Sequence, residues 1–426
     1  MRTHLQRTTA IMVASGGITL ALAGCQVTTQ TTPIGQPLKG LATCSLAISD
    51  TEIDEEALLV RAALSSYTDQ LVATQESTRA TATTATHTLV DDGCQLIILS
   101  GSNIDQQSEA LAEEFDQTKF VLVDAQDYHN VSEAEPTQHA LNLRTIVFNT
   151  LHPSYVAGYL AAGMTSTGTI GVYADEPTDA SMLAMDGFAS GVLAYNLAKG
   201  SNVALAGWDA TTSTPALSPD SASSGELAGR QSRQSSANDA SPSVDEAAHT
   251  TVTSLLEQGA DIVLPIGAGA GSYEALTMLT KNESLHAIGF GADWASANAF
   301  AVDDAQGAMS ATSGAEQAMS GDVEMPGDST IDGVFVVSGA VRGIVITSVL
   351  KDVREAIAQI FKDAGNSSFT SGQIVFPLST DQKQRADLGN FESFLAPGLL
   401  DEVTAIEDGL KAGKITIDSA YAPAID

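Results

Sequence analysis

The chain has 426 residues, with 19 Lys and Arg against 52 Asp and Glu and a formal net charge of −33. That length allows two or three domains with ample core. The acidic balance argues against nucleic-acid binding, which needs a basic surface, and beyond the N-terminus no apolar run reaches the roughly 20 residues a membrane span takes.

The first segment carries a short basic stretch with Arg2 and Arg7, then residues 8–21, apolar or small and too short to span. Leu22-Ala23-Gly24-Cys25 follows. It resembles the bacterial lipobox, in which the cysteine is acylated and the preceding peptide removed. Residues 1–24 are therefore expected to be a lipoprotein signal peptide. Cys25 would hold the mature protein to the cell membrane, facing outside the cytoplasm, since two acyl chains suffice for stable anchoring. Residues 25–40, rich in Thr, Gln and Pro, read as a flexible tether.

From residue 41 short apolar runs alternate with helical patterns. Strands are expected at 44–49, 95–100, 119–124, 143–148, 169–174, 202–206, 261–266 and 286–291. Helices are expected at 54–67, 105–115, 153–165, 179–197, 244–258, 272–281 and 338–364. Unbroken β-branched runs between helices imply parallel strands covered on both faces, hence a doubly wound α/β architecture. Residues 210–243, dominated by Ser, Ala, Thr, Asp and Pro, hold almost nothing to bury and read as a disordered surface insertion. Residues 297–336 are similar and resist assignment.

If Cys25 carries lipid, Cys44 and Cys94 remain, each opening a β-like run. A disulfide and two separate buried thiols are both open. No Cys/His cluster has zinc spacing, and no cofactor is expected. Gly267-Ala-Gly269-Ala-Gly271 lies between a strand and a helix; it suits a tight turn or a loop whose backbone meets a ligand. Ser348-Val-Leu-Lys351 matches an S-x-x-K pattern without its partner motifs. His152 and His286 stand alone, and nothing points to an enzyme. Asp50, Asp124 and Asp293 each end an expected strand, where carboxylates either cap helices or face a ligand crevice. Trp208 and Trp294 also follow strand ends, placed to stack on a ring or to cover a domain edge.

These pieces together suggest a family. Phe148-Asn-Thr-Leu-His-Pro-Ser-Tyr155-Val-Ala-Gly158-Tyr-Leu-Ala-Ala162 resembles a signature of the basic membrane lipoprotein family, which includes purine nucleoside receptors of bacterial ABC importers. Thr169-Ile-Gly171-Val, Asp186-Gly187-Phe188-Ala-Ser-Gly191, Gln258-Gly259-Ala260-Asp261, Ala287-Ile-Gly289-Phe-Gly-Ala-Asp293 and Ile346-Thr-Ser348-Val-Leu-Lys351 continue the match in order. The resemblance implies a type I periplasmic binding protein: two doubly wound parallel-sheet lobes that close on a ligand about a hinge. Lobe 1 would be 41–148, rejoined by part of 297–395. Lobe 2 would be 149–296, and 297–426 would hold a crossover, a long helix and the C-terminal segment. Crossings would fall near 145–150, near 292–300 and late in the chain.

By the same resemblance Asp50 contacts a nucleobase and Asp54 follows it in the same motif. Trp208 stacks on the base, Gly267 lies near the ribose, and Asp293 with Lys351 holds the sugar hydroxyls. Glu56-Ala57-Leu58 stand where the family has Ser-Phe-Asn, so one stacking ring is missing. The expected partners are a nucleoside-like small molecule, ABC permease subunits and, through the lipid, a membrane. A sugar receptor of the same fold and a sensor or scaffold lipoprotein with a decayed pocket are the rival readings.

Overall fold

A computed structural model of the protein describes residues 40–50, 54–128, 141–209, 244–267, 270–296, 330–331, 334–335, 337–376 and 385–423. The expected signal peptide, Cys25, the expected tether up to residue 39, the expected insertion at 210–243 and most of 297–336 lie outside the described residues.

The first sheet contains β1 (Thr43–Ile48), β2 (Leu71–Ser77), β3 (Leu96–Ser100), β4 (Lys119–Val123), β5 (Leu143–Phe148) and, far along the chain, β13 (Gly372–Phe376). Their order is β13-β5-β4-β3-β1-β2, all parallel. The second contains β6 (Thr169–Ala174), β7 (Ala204–Ala206), β8 (Ile262–Ile266), β9 (His286–Gly291) and β12 (Val345–Leu350), in the order β12-β9-β8-β6-β7, again parallel. A two-residue antiparallel pair, β10 (Thr330–Ile331) and β11 (Val334–Phe335), stands apart. Both sheets thus follow one plan: the first strand sits between the second and the third.

Helices cover both faces. The first lobe has α1 (Glu55–Leu64), α2 (Ala82–Asp91) and α3 (Asp105–Glu114). The second has α4 (Leu151–Met164), α5 (Asp179–Lys199), α6 (Val244–Glu257), α7 (Ala270–Leu279) and α8 (Gly339–Ile344). Helix α9 (Val353–Gly365) returns to the first lobe, and α10 (Leu399–Lys411) packs on α4. Each sheet is flanked by two apolar clusters. Leu46, Leu99 and Phe120 fill one side of the first sheet; Ile98, Val121 and Ile357 fill the other. This two-sided burial explains the continuous apolar runs.

The chain passes between lobes after β5, at Lys351–Asp352 between β12 and α9, and again after β13. The second crossing corrects the expectation of 292–300. Residues 338–364 are likewise not one helix but α8, β12 and α9. The run Val345-Ile-Thr-Ser-Val-Leu350 is buried throughout or nearly so and pairs with β9. A run buried on both faces lacks the alternation that separates strand from helix. Arg144 of β5 anchors α9 on its return, donating to Asp363 at 2.7 Å and to the Thr370 carbonyl at 2.8 Å.

Cys44 and Cys94 form a disulfide, with Cα atoms 5.8 Å apart. The glycines of the family-like signature serve packing. A Cβ on Gly158 would overlap the Phe188 carbonyl, and one on Gly191 would overlap the Tyr155 carbonyl. Helices α4 and α5 therefore cross in backbone contact.

Candidate functional site

In each sheet the strand order reverses beside the first strand. The connections leaving the two strands there diverge and open a crevice beyond their carboxyl ends. The two crevices join in one cleft of about 230 Å³. Ser49, Asp50, Asp54, Ser102 and Asn103 line it at the ends of β1 and β3. Asp175, Glu176, Ile266 and Gly267 line it at the ends of β6 and β8. Lys351, at the second crossing, and Phe290 form part of its wall.

The N-terminus of α1 brings three acids to this place. Asp54 caps the helix, accepting from the Ala57 N–H at 3.0 Å, while its second oxygen accepts from the Ser102 N–H at 2.9 Å. Acids in a first helical turn suit the helix dipole, so the sequence tolerates Glu55 and Glu56 beside it. Glu56 is 2% exposed and lines the cleft. Its Oε1 accepts from Gln126 Nε2 at 2.6 Å and lies 3.8 Å from Lys351 Nζ. Its Oε2 has no partner among the described residues. Lys351 Nζ meets Asp124 Oδ2 at 2.5 Å and stands 5.0 Å from the centre of the Phe290 ring.

One buried lysine thus serves several buried carboxylates. Desolvation pushes Glu55 up to about 8, with Lys351 opposing the rise. It pushes Glu56 well above the ordinary range, and Asp124 adds to that. Lys351 is held above its usual value: burial works against its charge, but Asp124 and Glu56 outweigh it. Across the cleft, desolvation and then Glu176 raise Asp175 to about 7.

Gln126 also ties the lobes together. Its carbonyl accepts from the Ala180 N–H at 3.0 Å, and its Oε1 accepts from Thr178 Oγ1 at 3.4 Å. Both partners belong to the start of α5 in the second lobe.

Of the residues singled out in the sequence, Asp50, Asp54, Gly267 and Lys351 line the cleft. Asp50 is engaged by Arg79, which donates its backbone N–H at 3.0 Å and sets its guanidinium 3.4 Å away. Asp124 is 3% exposed and reaches the cleft through Lys351. It holds a left-handed φ of 67°, a conformation Asp tolerates better than most residues.

Three residues fall elsewhere. Trp208 is 2% exposed inside the core of the second lobe. Gly207, at φ 95°, turns against the Val172 carbonyl, and the chain folds the indole inward instead of presenting it to a ligand. Trp294 is also 2% exposed; its Nε1 donates to the Phe290 carbonyl at 2.9 Å, and it stacks on Tyr273. Asp293 does not line the cleft and is not the partner of Lys351. Its Oδ1 accepts from the Ala295 N–H at 3.2 Å in a local turn, with Asp387 nearby. Ser348 Oγ accepts from the Trp294 N–H at 3.1 Å.

Arg79, Gln126 and Asp175 carry no role in the sequence reading, where Glu56 figures only as a departure from the family motif. Asp175 directly follows an expected strand, so the rule that singled out Asp50 would have found it. Glu56 passes for an ordinary acidic helix start, and Gln126 carries no pattern.

Residues 52–218 match the Bmp family, described as ABC transporter substrate-binding protein PnrA-like. An ABC transporter solute-binding protein from Aeropyrum pernix K1 shares the fold, with TM-score 0.56 and 14% identity over 88% of this chain and 93% of that one. A transcriptional activator of the comK gene from Bacillus halodurans does so with TM-score 0.53 and 14% identity, over 88% and 100%. A solute-binding protein of an ABC transporter system from Conexibacter woesei follows, with TM-score 0.50 and 12% identity, over 89% and 99%. At such identities the likeness is one of fold. Among curated proteins no sequence matches the chain. The family match is thus confined to residues 52–218, less than half of the chain, and the two lobes have the type I periplasmic binding protein fold.

Proposed function

We propose that this chain is the solute-capturing subunit of an ABC importer, working outside the cytoplasm and tethered by lipid on Cys25. It captures a small, phosphate-free compound rich in N–H and O–H donors, a nucleoside being the type that the family resemblance implies. The observation that carries this reading is the cleft at the switch points of both sheets, beside a lobe crossing that bears Lys351. Its lining counts five carboxylates, Asp50, Asp54, Glu56, Asp175 and Glu176, against Arg79 and Lys351. Such walls accept hydrogen bonds from hydroxyls and amines and repel phosphate. No helix among the described residues is long and apolar enough to cross a membrane. In this reading the lipid does the anchoring, and Cys25→Ala should move the protein from the membrane to the soluble fraction.

A monosaccharide is the second reading. Phe290 is the one aromatic lining the cleft among the described residues, and Lys351 sits over its ring. A sugar needs acceptors more than it needs two stacking faces. Thermal melts of the 41–426 segment with nucleosides, free bases and sugars decide between the two. At about 100 times Kd a true ligand adds about 2.7 kcal/mol, a rise of several degrees. A rise with nucleosides alone supports the first reading, and with sugars alone the second. No rise with any of them overturns both and favours a sensor or scaffold.

A further inference from the structure

We propose that the cleft takes a ligand bearing a positively charged amino group, seated between Glu56 of the first lobe and Asp175 of the second. This rests on reading the cleft as the ligand site.

The lining acids do not all need a ligand. Asp50 has Arg79, and Asp54 has two backbone N–H donors. Lys351 gives its short contact to Asp124 and leaves Glu56 at 3.8 Å. Glu56 Oε2, buried in the cleft wall, accepts nothing among the described residues. On the facing lobe Asp175 has no ion-pair partner among the described residues. Position 267 is glycine, and a Cβ there would overlap Asp175 Oδ2. Residue 267 therefore lays no side chain over that oxygen, and Ser272 gives the carboxylate one neutral hydrogen bond in place of a charge.

A buried carboxylate short of partners is costly. An ammonium answers it with three donors and a full charge, whereas a hydroxyl brings one donor and no charge. An anionic group at the same place would meet Asp175 and Glu176 together.

Proton linkage gives an independent readout. Burial holds Asp175 near 7, with Glu176 adding to the rise. Burial, Asp124, Asp54 and Asp105 lift Glu56, against Lys351. A cationic ligand favours the ionised forms and so expels protons as it binds.

The experiment is calorimetric titration of the 41–426 segment at pH about 7.5 with two matched pairs. One is 5′-amino-5′-deoxyadenosine against adenosine; the other is 6-amino-6-deoxyglucose against glucose. The amine of one pair should bind at least about tenfold more tightly than its alcohol, and the pair that responds tells a nucleoside source from a sugar source. Asp175→Asn and Glu56→Gln should each shrink that ratio. Proton release on amine binding, read in two buffers of unlike ionisation heat, tests the wild type should a variant fail to fold. An alcohol binding as tightly as its amine overturns the amine proposal and leaves the receptor reading intact. No binding by either pair overturns both.

Discussion

Lys351 Nζ lies 2.5 Å from Asp124 Oδ2, and both side chains are at most 5% exposed. The lysine opens the crossing from β12 to α9, while the aspartate directly follows β4 in the first lobe. The pair therefore joins the hinge to one jaw of the cleft.

Removing one partner of a buried pair leaves the other charge stranded. Lys351→Met exposes Asp124, Glu56 and Glu55 to each other without a cation. It should destabilise the protein by roughly 3–5 kcal/mol. Adding Asp124→Asn to that variant should restore part of the loss. Urea denaturation of the two variants checks this, and equal stability of wild type and Lys351→Met would refute it.

Stability should fall as pH rises from about 5 to 8. Glu55 is raised to about 8, and Asp105 and Asp175 to about 7, each chiefly by burial. Over that window the folded state holds protons that the unfolded chain, with ordinary carboxyls near 4, has released. The slope of unfolding free energy with pH is then negative. The penalty begins above the unfolded values and is complete only above the folded ones. Glu55→Gln should flatten the dependence, raising Tm near pH 8 and changing little near pH 5. A Tm that climbs with pH across the window would contradict the assignment.

The Cys44–Cys94 link closes a loop with 50 residues of sequence separation within the first lobe. Its removal as a double Cys→Ala variant should cost about 2–4 kcal/mol. Denaturation of oxidised and reduced protein gives the same comparison without mutation.

Gly191→Ala should cost about 1–3 kcal/mol by overpacking, because its new methyl meets the Tyr155 carbonyl, a backbone atom that cannot rotate away. Gly200→Ala tests the other kind of glycine: nothing lies within 4 Å of its Cβ position, but its φ is 63°, so its loss should reflect backbone strain alone, about 1–2 kcal/mol. Thermal melts separate the two if ligand-free protein is used.

Much of the architecture is legible in the chain. Runs such as Leu96-Ile-Ile-Leu-Ser100 and Ile262-Val-Leu-Pro-Ile266 are apolar because both faces of a parallel sheet are covered, and that composition can be read without knowing the neighbours. Strand β2 was missed for the opposite reason. Leu71-Val-Ala-Thr-Gln-Glu-Ser77 lies at the sheet edge, half exposed, so its sequence has little apolar character to report. Helix α2, rich in threonine, offers weak helix propensity and owes its form to packing against β1 and β2. The Cys44–Cys94 pairing stayed undecided because two cysteines at strand starts do not reveal which strands are neighbours.

The site divides along the same line. Asp50 follows from its place at a strand end and Gly267 from its glycine-rich loop, whereas Asp54 and Lys351 are implied only by the family resemblance. Whether each faces a ligand depends on contacts made across hundreds of residues. Lys351 finds Asp124, 227 positions away, rather than Asp293. Trp208 lies in the core of the second lobe, among residues of α4, α5 and the sheet. Sequence alone determined the periodicity, the composition of the covered faces and the chemistry available at each turn, since these are properties of neighbouring residues. Only the tertiary structure decided which buried charges share one lysine and which oxygens are left without a partner. Burial and ion pairing are settled between segments far apart in the chain, and no local pattern records them.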